Sequence, residues 1–135
     1  MPTYNEVRRA IEARWTENYQ STLSCFGDMP FEPPKDNSWA RLTIRFGEGL
    51  QKDLASDSAR IRTVGVIFLQ FFSPVKHGTG AVCRLADTAV EIFERQQFDG
   101  IQCRSASPGN ESPEGHGFYQ FTVSIPFFFD RLSAV

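Results

Sequence analysis

Apolar and polar positions change period several times along the chain, and each change marks an element. Tyr4, Val7, Ile11 and Trp15 recur at helical spacing, with Arg8, Arg9, Glu12 and Arg14 between them. Thr3 and Glu6 stand three residues apart at the head of this stripe, the pattern of a capping box. The spacing predicts a helix from about Tyr4 to Tyr19. From Gly27 to Ser38 no period survives. Pro30, Pro33 and Pro34 fix their own φ and push the residues before them to extended conformations, so this stretch is an arm. Ala40, Leu42, Ile44 and Phe46 then alternate with Arg41, Thr43 and Arg45, which predicts a half-buried strand. Gly47–Ala59 reads as a polar loop.

The next strand differs. Within Ile61–Phe72, Val64, Val66, Phe68 and Phe72 fall on one face of an extended chain, and Ile61, Ile67, Leu69 and Phe71 on the other. Both faces are apolar, so both need cover. After Pro74, Gly78-Thr79-Gly80 opens a second helix. Its apolar stripe is Val82, Leu85, Ala86, Ala89, Ile92 and Phe93, its wet face Asp87, Glu91, Glu94 and Arg95, and Asp99-Gly100 breaks it. Ile101–Ser105 reads as a short strand. Ala106–His116 reads as a loop, with turn signals at Pro108-Gly109-Asn110 and Glu114-Gly115. Tyr119, Phe121, Val123 and Ile125 alternate in a last strand. Pro126 interrupts it, which suits a sheet edge or a strand end. Phe127-Phe128-Phe129 follows, and three successive strand residues cannot all point one way.

This order predicts one domain over residues 1–135. The expected class is α+β: a mostly antiparallel or mixed sheet of four to five strands, with two main helices packed on one face. The helices can cover one side of Ile61–Phe72. The other side falls to the proline arm or to a neighbouring subunit, and the second option predicts an oligomer.

Composition narrows the function classes. Thirteen phenylalanines in 135 residues supply a large aromatic core, an adhesive surface, or both. A net charge of −2 gives no overall basic field to hold nucleic acid. Lysine occurs only at Lys35, Lys52 and Lys76, so the basic residues are mostly arginine, which suits planar pairing at interfaces. Cys25, Cys83 and Cys103 are odd in number and far apart, which argues against a disulfide framework or a zinc site and fits a reducing compartment. The first residues lack an apolar core, so no signal peptide is expected, and the Val64–Leu69 run is too short to span a bilayer.

Catalytic chemistry has few places to sit. His77 and His116 stand beside glycines in predicted loops, without ligand spacing for a metal. Asp28, Glu32 and Asp36 share one loop but do not match a calcium loop. Cys83 could pair with His77, yet no third orienting residue is evident, and a buried free cysteine explains it as well. Gly78-Thr79-Gly80 lacks the residues of a phosphate-binding loop and reads as a strand-to-helix turn. The expectation is a non-enzymatic protein with no cofactor, no metal and no catalytic residue.

One segment carries a resemblance. Met29-Pro30-Phe31-Glu32-Pro33-Pro34, followed by Trp39-Ala40-Arg41-Leu42, resembles a stretch found in a tailed-phage family similar to the tail terminators of lambda-like phages. The likeness continues through Arg62-Thr63-Val64-Gly65-Val66, Pro74, Gly78-Thr79-Gly80, Leu85-Ala86-Asp87 and Phe93, and spans roughly Tyr4 to Phe129. Gly47–Ala59 and Ala106–His116 add nothing to it. The resemblance implies a hexameric ring that caps the tail tube, stops its polymerisation and offers a surface to the head. Its partners would be further copies of itself, the tail tube protein and a head-completion or connector protein, with DNA only passing through the lumen and no membrane. It would act in the host cytoplasm during assembly and in the neck of the virion, or in a prophage-derived particle.

A head-to-tail ring needs two different complementary patches. The interface candidates are Phe31, Pro33, Pro34, Trp39, Phe127 and Phe128, although Trp39 at a strand start reads equally as core. Arg41, Arg45, Arg62 and Arg104, with Arg60, are candidates to face the lumen or to bridge subunits. Three other readings compete: another phage neck protein such as a head–tail connector or tail-completion protein, a small cytosolic enzyme, and a nucleic-acid-binding module.

Overall fold

The computed structural model describes residues 2–27, 29–51, 58–109, 112–113 and 117–134. Along the chain run α1 (Tyr4–Asn18), β1 (Leu23–Phe26), β2 (Trp39–Gln51), β3 (Ser58–Pro74), a 3-10 turn (Val75–His77) and α2 (Thr79–Val90). They are followed by β4 (Gln97–Phe98), β5 (Ile101–Cys103), β6 (Ser107–Pro108), β7 (Ser112–Pro113) and β8 (Phe118–Ala134). Strand order in the sheet is β1-β2-β3-β8-β5-β4, with β6 and β7 also lying against β8. The long strands pair antiparallel and β1 pairs parallel to β2, so the sheet is mixed. Six strands and two short bridges replace the expected four to five. The additional strands are two to four residues long, too short to leave a period in the sequence.

Both helices lie on one face. Val7, Ile11 and Trp15 of α1 and Val82, Ala86 and Ala89 of α2 share a core with Leu42, Ile67, Leu69, Phe71, Val123, Ile125, Phe127 and Phe129 of the sheet. The Thr3 hydroxyl accepts the Glu6 N–H at 3.1 Å and donates to the Glu6 carboxylate at 3.0 Å, which fixes the start of α1. Arg14 donates to the Ile92 carbonyl at 2.7 Å and lies over the Phe98 ring, tying α1 to the segment that follows α2.

Several boundaries differ from the sequence reading, each for a local reason. The Gly47–Ala59 loop is mostly strand: β2 continues to Gln51 and β3 begins at Ser58, while residues 52–57 lie outside the described ones. A register shift between Phe46 and Gly49 is a bulge, and it is what broke the alternation. Asp99-Gly100 does not end α2, which stops at Val90. With φ of 48° and 82°, these two residues form the tight turn of the β4–β5 hairpin, where positive φ at both positions is the favoured geometry. The Ala106–His116 loop carries β6 and β7 along β8, and its Asn110, Glu111, Glu114, Gly115 and His116 lie outside the described residues.

Pro126 sits in the middle of β8, not at an edge. Its carbonyl accepts from Arg104 N–H at 2.8 Å. In an extended strand N–H and C=O of one residue point to the same side, so the missing N–H of Pro126 falls in the gap between β5 and β6, where no ladder bond is lost.

β1 runs parallel to β2, and a parallel pair needs a crossover of a dozen or so residues. The proline arm is that crossover. It passes over the face opposite the helices, where Phe31 meets Trp39 at 5.1 Å between ring centroids.

Gly65 is the closest crossing point of backbone and side chain. A Cβ there would stand 2.8 Å from the Arg45 carbonyl oxygen and closer still to the Phe127 ring. Gly65→Ala is expected to destabilise the fold by about 1–3 kcal/mol, measured as a lower urea midpoint at unchanged slope. An unchanged midpoint would mean that the ring and strand move apart freely.

Candidate interaction face

The face of the sheet turned away from the helices is built by strand parity. On β3 the residues Thr63, Ile67, Leu69 and Phe71 are buried toward the helices, so Arg62, Val64, Val66, Phe68, Gln70 and Phe72 line the outer face. Register brings Trp39, Arg41, Thr43 and Arg45 of β2 alongside them, and Phe118 to Asp130 at alternate positions of β8.

One end of this face is sealed within the subunit. Trp39 stacks on Phe72 at 3.9 Å and meets Phe118 edge-on at 6.5 Å, and Phe31 of the arm closes over them. Cys25, Trp39 and Phe72 form a second small core. Trp39 is 5% exposed, so the interface assignment is corrected: it anchors the arm onto its own subunit. Phe31 and Pro34 are half-buried there, and Pro33 is exposed. Beside this cluster a cleft of about 360 Å³ opens between Pro33 and Trp39, Arg41, Gln70 and Phe118. Trp39 Nε1 and Arg41 Nε are buried without a hydrogen-bond partner among the described residues. Both are donors, so the cleft suits a carbonyl or carboxylate oxygen.

The rest of the face is open. Val66, Phe68, Pro126 and Phe128 are half-buried and Val64 is 42% exposed, which makes an apolar column along β3 and β8. Of the three successive phenylalanines, Phe127 and Phe129 go into the helix-side core and only Phe128 faces outward. Phe127 is therefore removed from the interface candidates and Phe128 stays. Arg62 lies over the Phe128 ring at 4.2 Å and Arg104 at 5.2 Å. Arg62 also grips Asp130 with two parallel bonds of 2.8 and 3.0 Å, an ion pair within the subunit.

The structure places all five singled-out arginines on one side of the sheet, spread along its length. Arg41, Arg45, Arg60, Arg62 and Arg104 all fall on this outer face by parity and register. Along the paired strands of that face Asp130 is the acid among the described residues, and the arm over its Trp39 end adds Glu32 and Asp36. A chain of net charge −2 thus carries one markedly basic sheet face. Sequence reasoning singled out these arginines but could not fix their common side, because they come from three separated segments and only the register aligns them.

The other candidate chemistry stays dispersed. His77 lines an open groove with Asn37, Ser38, Ala81, Arg84 and Thr88, and Cys83 is not on its wall. Cys25 and Cys103 are buried, and Cys83 is half-buried. Burial pushes the Cys103 thiol up to about 11, against the opposing charge of Arg14. Among the described residues no three His, Cys, Asp or Glu side chains converge as metal ligands, and no helix is long and apolar enough to cross a membrane. His116 and Asp28 lie outside the described residues.

No protein-family model matches the chain, and no curated protein matches it. A solved structure superposes on 96% of this chain and 96% of its own, with a TM-score of 0.66 at 18% identity. That protein carries a serial designation naming no activity. At such identity the likeness establishes the fold alone.

Two outcomes check this map. Trp39→Ala is expected to cost roughly 3–5 kcal/mol of folding stability, and Phe128→Ala far less, by chemical denaturation; equal losses would put Phe128 in the core. Alkylation at pH 8 is expected to modify Cys83 first and Cys103 last, since about 0.1% of a thiol with so high a pKa is thiolate there. Fast labelling of Cys103 would contradict its burial.

Proposed function

We propose that this chain is a structural subunit of a phage or prophage tail terminator, which closes into a sixfold ring on the tail tube, ends its polymerisation and offers a surface for the head. The observation that carries the reading is the outer sheet face. Its apolar column is only partly covered and Arg45, Arg60 and Arg104 are exposed on it, in a subunit whose other face is sealed by two helices. Exposed apolar area with a polar rim is the composition of a protein contact site. The ordered motifs from the proline arm to Phe93 support the same family.

Arginine-rich faces hold a nucleic-acid backbone by releasing its counterions. DNA that must slide through a lumen is poorly served by such a grip. The basic face therefore meets protein, an acidic surface of the tube or the neck, and the lumen is lined elsewhere.

Light scattering from dilute to concentrated protein, with and without purified tail tubes, tests the reading. The expected species has six times the subunit mass and appears as a sixfold ring by electron microscopy, free or at tube ends. Arg45→Glu and Arg104→Glu are expected to weaken tube capping at least tenfold without lowering the melting temperature. A strict monomer under every condition, tubes included, would sink the proposal.

A further inference from the structure

The cleft of about 360 Å³ at the Trp39 end of the outer face is built by β2, β3, β8 and the arm. Register sets Arg41 beside Gln70 on one row of the sheet. The next row holds Trp39, Phe72 and Gln120, and Phe118 stands one row further on. Pro33 of the arm forms the remaining wall. The lining is mainly apolar, with two amides and one cation set into it, which is the make-up of a site for a small group.

Two donors of that lining lack acceptors. Trp39 is 5% exposed, and its indole Nε1 has no hydrogen-bond partner among the described residues. Arg41 Nε is also buried and also without one. A buried donor without an acceptor is costly, and a ligand that supplies one relieves the cost. The other tryptophan, Trp15, gives its Nε1–H to Ser24 Oγ at 3.1 Å, so the unused indole donor is particular to the cleft. Arg41 lacks a counter-charge as well. Its guanidinium lies over the Trp39 ring at 5.3 Å, and among the described residues no acid pairs with it. Glu32 and Asp36 ride on the arm, but Asp36 pairs with Lys76 at 3.3 Å and Glu32 is exposed.

We propose that this cleft takes an acidic side chain presented by a partner protein. A carboxylate offers two acceptor oxygens, one for the Arg41 guanidinium and one for the Trp39 indole N–H, and the two donors stand close enough for one group to reach both. A full negative charge is favoured over a neutral carbonyl because charge-assisted bonds to a half-buried guanidinium are the stronger ones. Trp39, Phe72, Phe118 and Pro33 suit the apolar stem of such a side chain, and Gln70 and Gln120 offer amide groups to the peptide beside it. This deepens the proposed function by naming the group that the basic face takes from its partner, and rests on that reading only for the partner's identity.

The test uses the full chain and nuclear magnetic resonance, with N-acetylglutamic acid α-amide as the probe at fixed ionic strength. The sequence holds two tryptophans, so two indole N–H signals report, and Trp39→Phe assigns them. The Trp39 signal is expected to move downfield and saturate while that of Trp15 stays in place. N-acetylglutamine amide, the neutral isostere, is expected to bind at least tenfold more weakly, as is N-acetylleucine, whose carboxylate is a chain end. Arg41→Gln is expected to lose at least tenfold in affinity with the melting temperature of the parent, and Arg41→Lys, which keeps the charge but not Nε, to recover part of it. A Trp39 signal that does not move, a glutamine probe that equals the glutamate one, or full affinity in Arg41→Gln overturns the proposal. Tighter binding of N-acetylleucine assigns the cleft to a chain terminus and overturns the side-chain assignment. None of these readings needs tubes or rings. A subunit that binds the probe yet never caps a tube keeps the cleft and overturns the terminator reading, and rings from a chain that ignores the probe do the reverse.

Discussion

The antiparallel pairing of β3 with β8 is the constraint on which the rest depends. Seventeen residues of each strand stay in unbroken register, from Ser58 opposite Ala134 to Pro74 opposite Phe118. At about 3.3 Å per residue the pair is some 55 Å long. α1, with 15 residues, is about 22 Å long, and α2 is shorter. The helices therefore cannot cover the whole pair. Tyr4 touches Phe46 and Phe129, and Tyr19 touches Phe71, so α1 lies along the sheet from the Gly65 region to Phe71. Ser58–Arg62 and their partners on β2 and β8 project past its N-terminal end. Helix cover on the inner face therefore ends before the β3–β8 pair does.

The same pair explains why the two sides of the sheet behave differently. Odd positions of β3 and β8 face the helices and are buried over most of β3 and from Val123 to Phe129 on β8, with Gly65 leaving space for Phe127. Even positions face the crossing arm. An arm of about a dozen residues without a helix covers only the Trp39 end, and it does so because β1 lies parallel to β2 and the chain must return along the sheet. Cover therefore fades along the outer face, from Trp39 through Phe68 to Val64. The gradient comes from topology and not from any loss of hydrophobicity along β3.

Much of the fold was legible. The stripe Tyr4, Val7, Ile11, Trp15 specified α1 with its cap, and the double-sided character of Ile61–Phe72 marked the central strand. What stayed hidden had no period to betray it. β1 and β4 are too short to alternate, the bulge after Phe46 broke the pattern of β2, and Pro126 imitated a strand end because its missing N–H happens to face a gap. Site residues were less legible, since exposure is a tertiary property. Trp39 and Phe127 carry the same chemistry as Phe128, and only the direction of each side chain separates an anchor buried at home from one presented to a partner.

Net charge concealed the most informative feature of the chain. Summed over 135 residues it is −2, which argued against a basic surface. The sum is blind to arrangement, and β-sheet register converts alternate arginines on separate strands into one field. Because β2 and β3 contribute Arg41, Arg45, Arg60 and Arg62 to the same side, and β5 leads into Arg104 beside them, the acids are left mainly to the helices and connections. On the proposed reading this division has a geometric use. A subunit with helices and acids on one side and arginines on the other presents two different surfaces, which a head-to-tail ring that also binds an acidic partner requires.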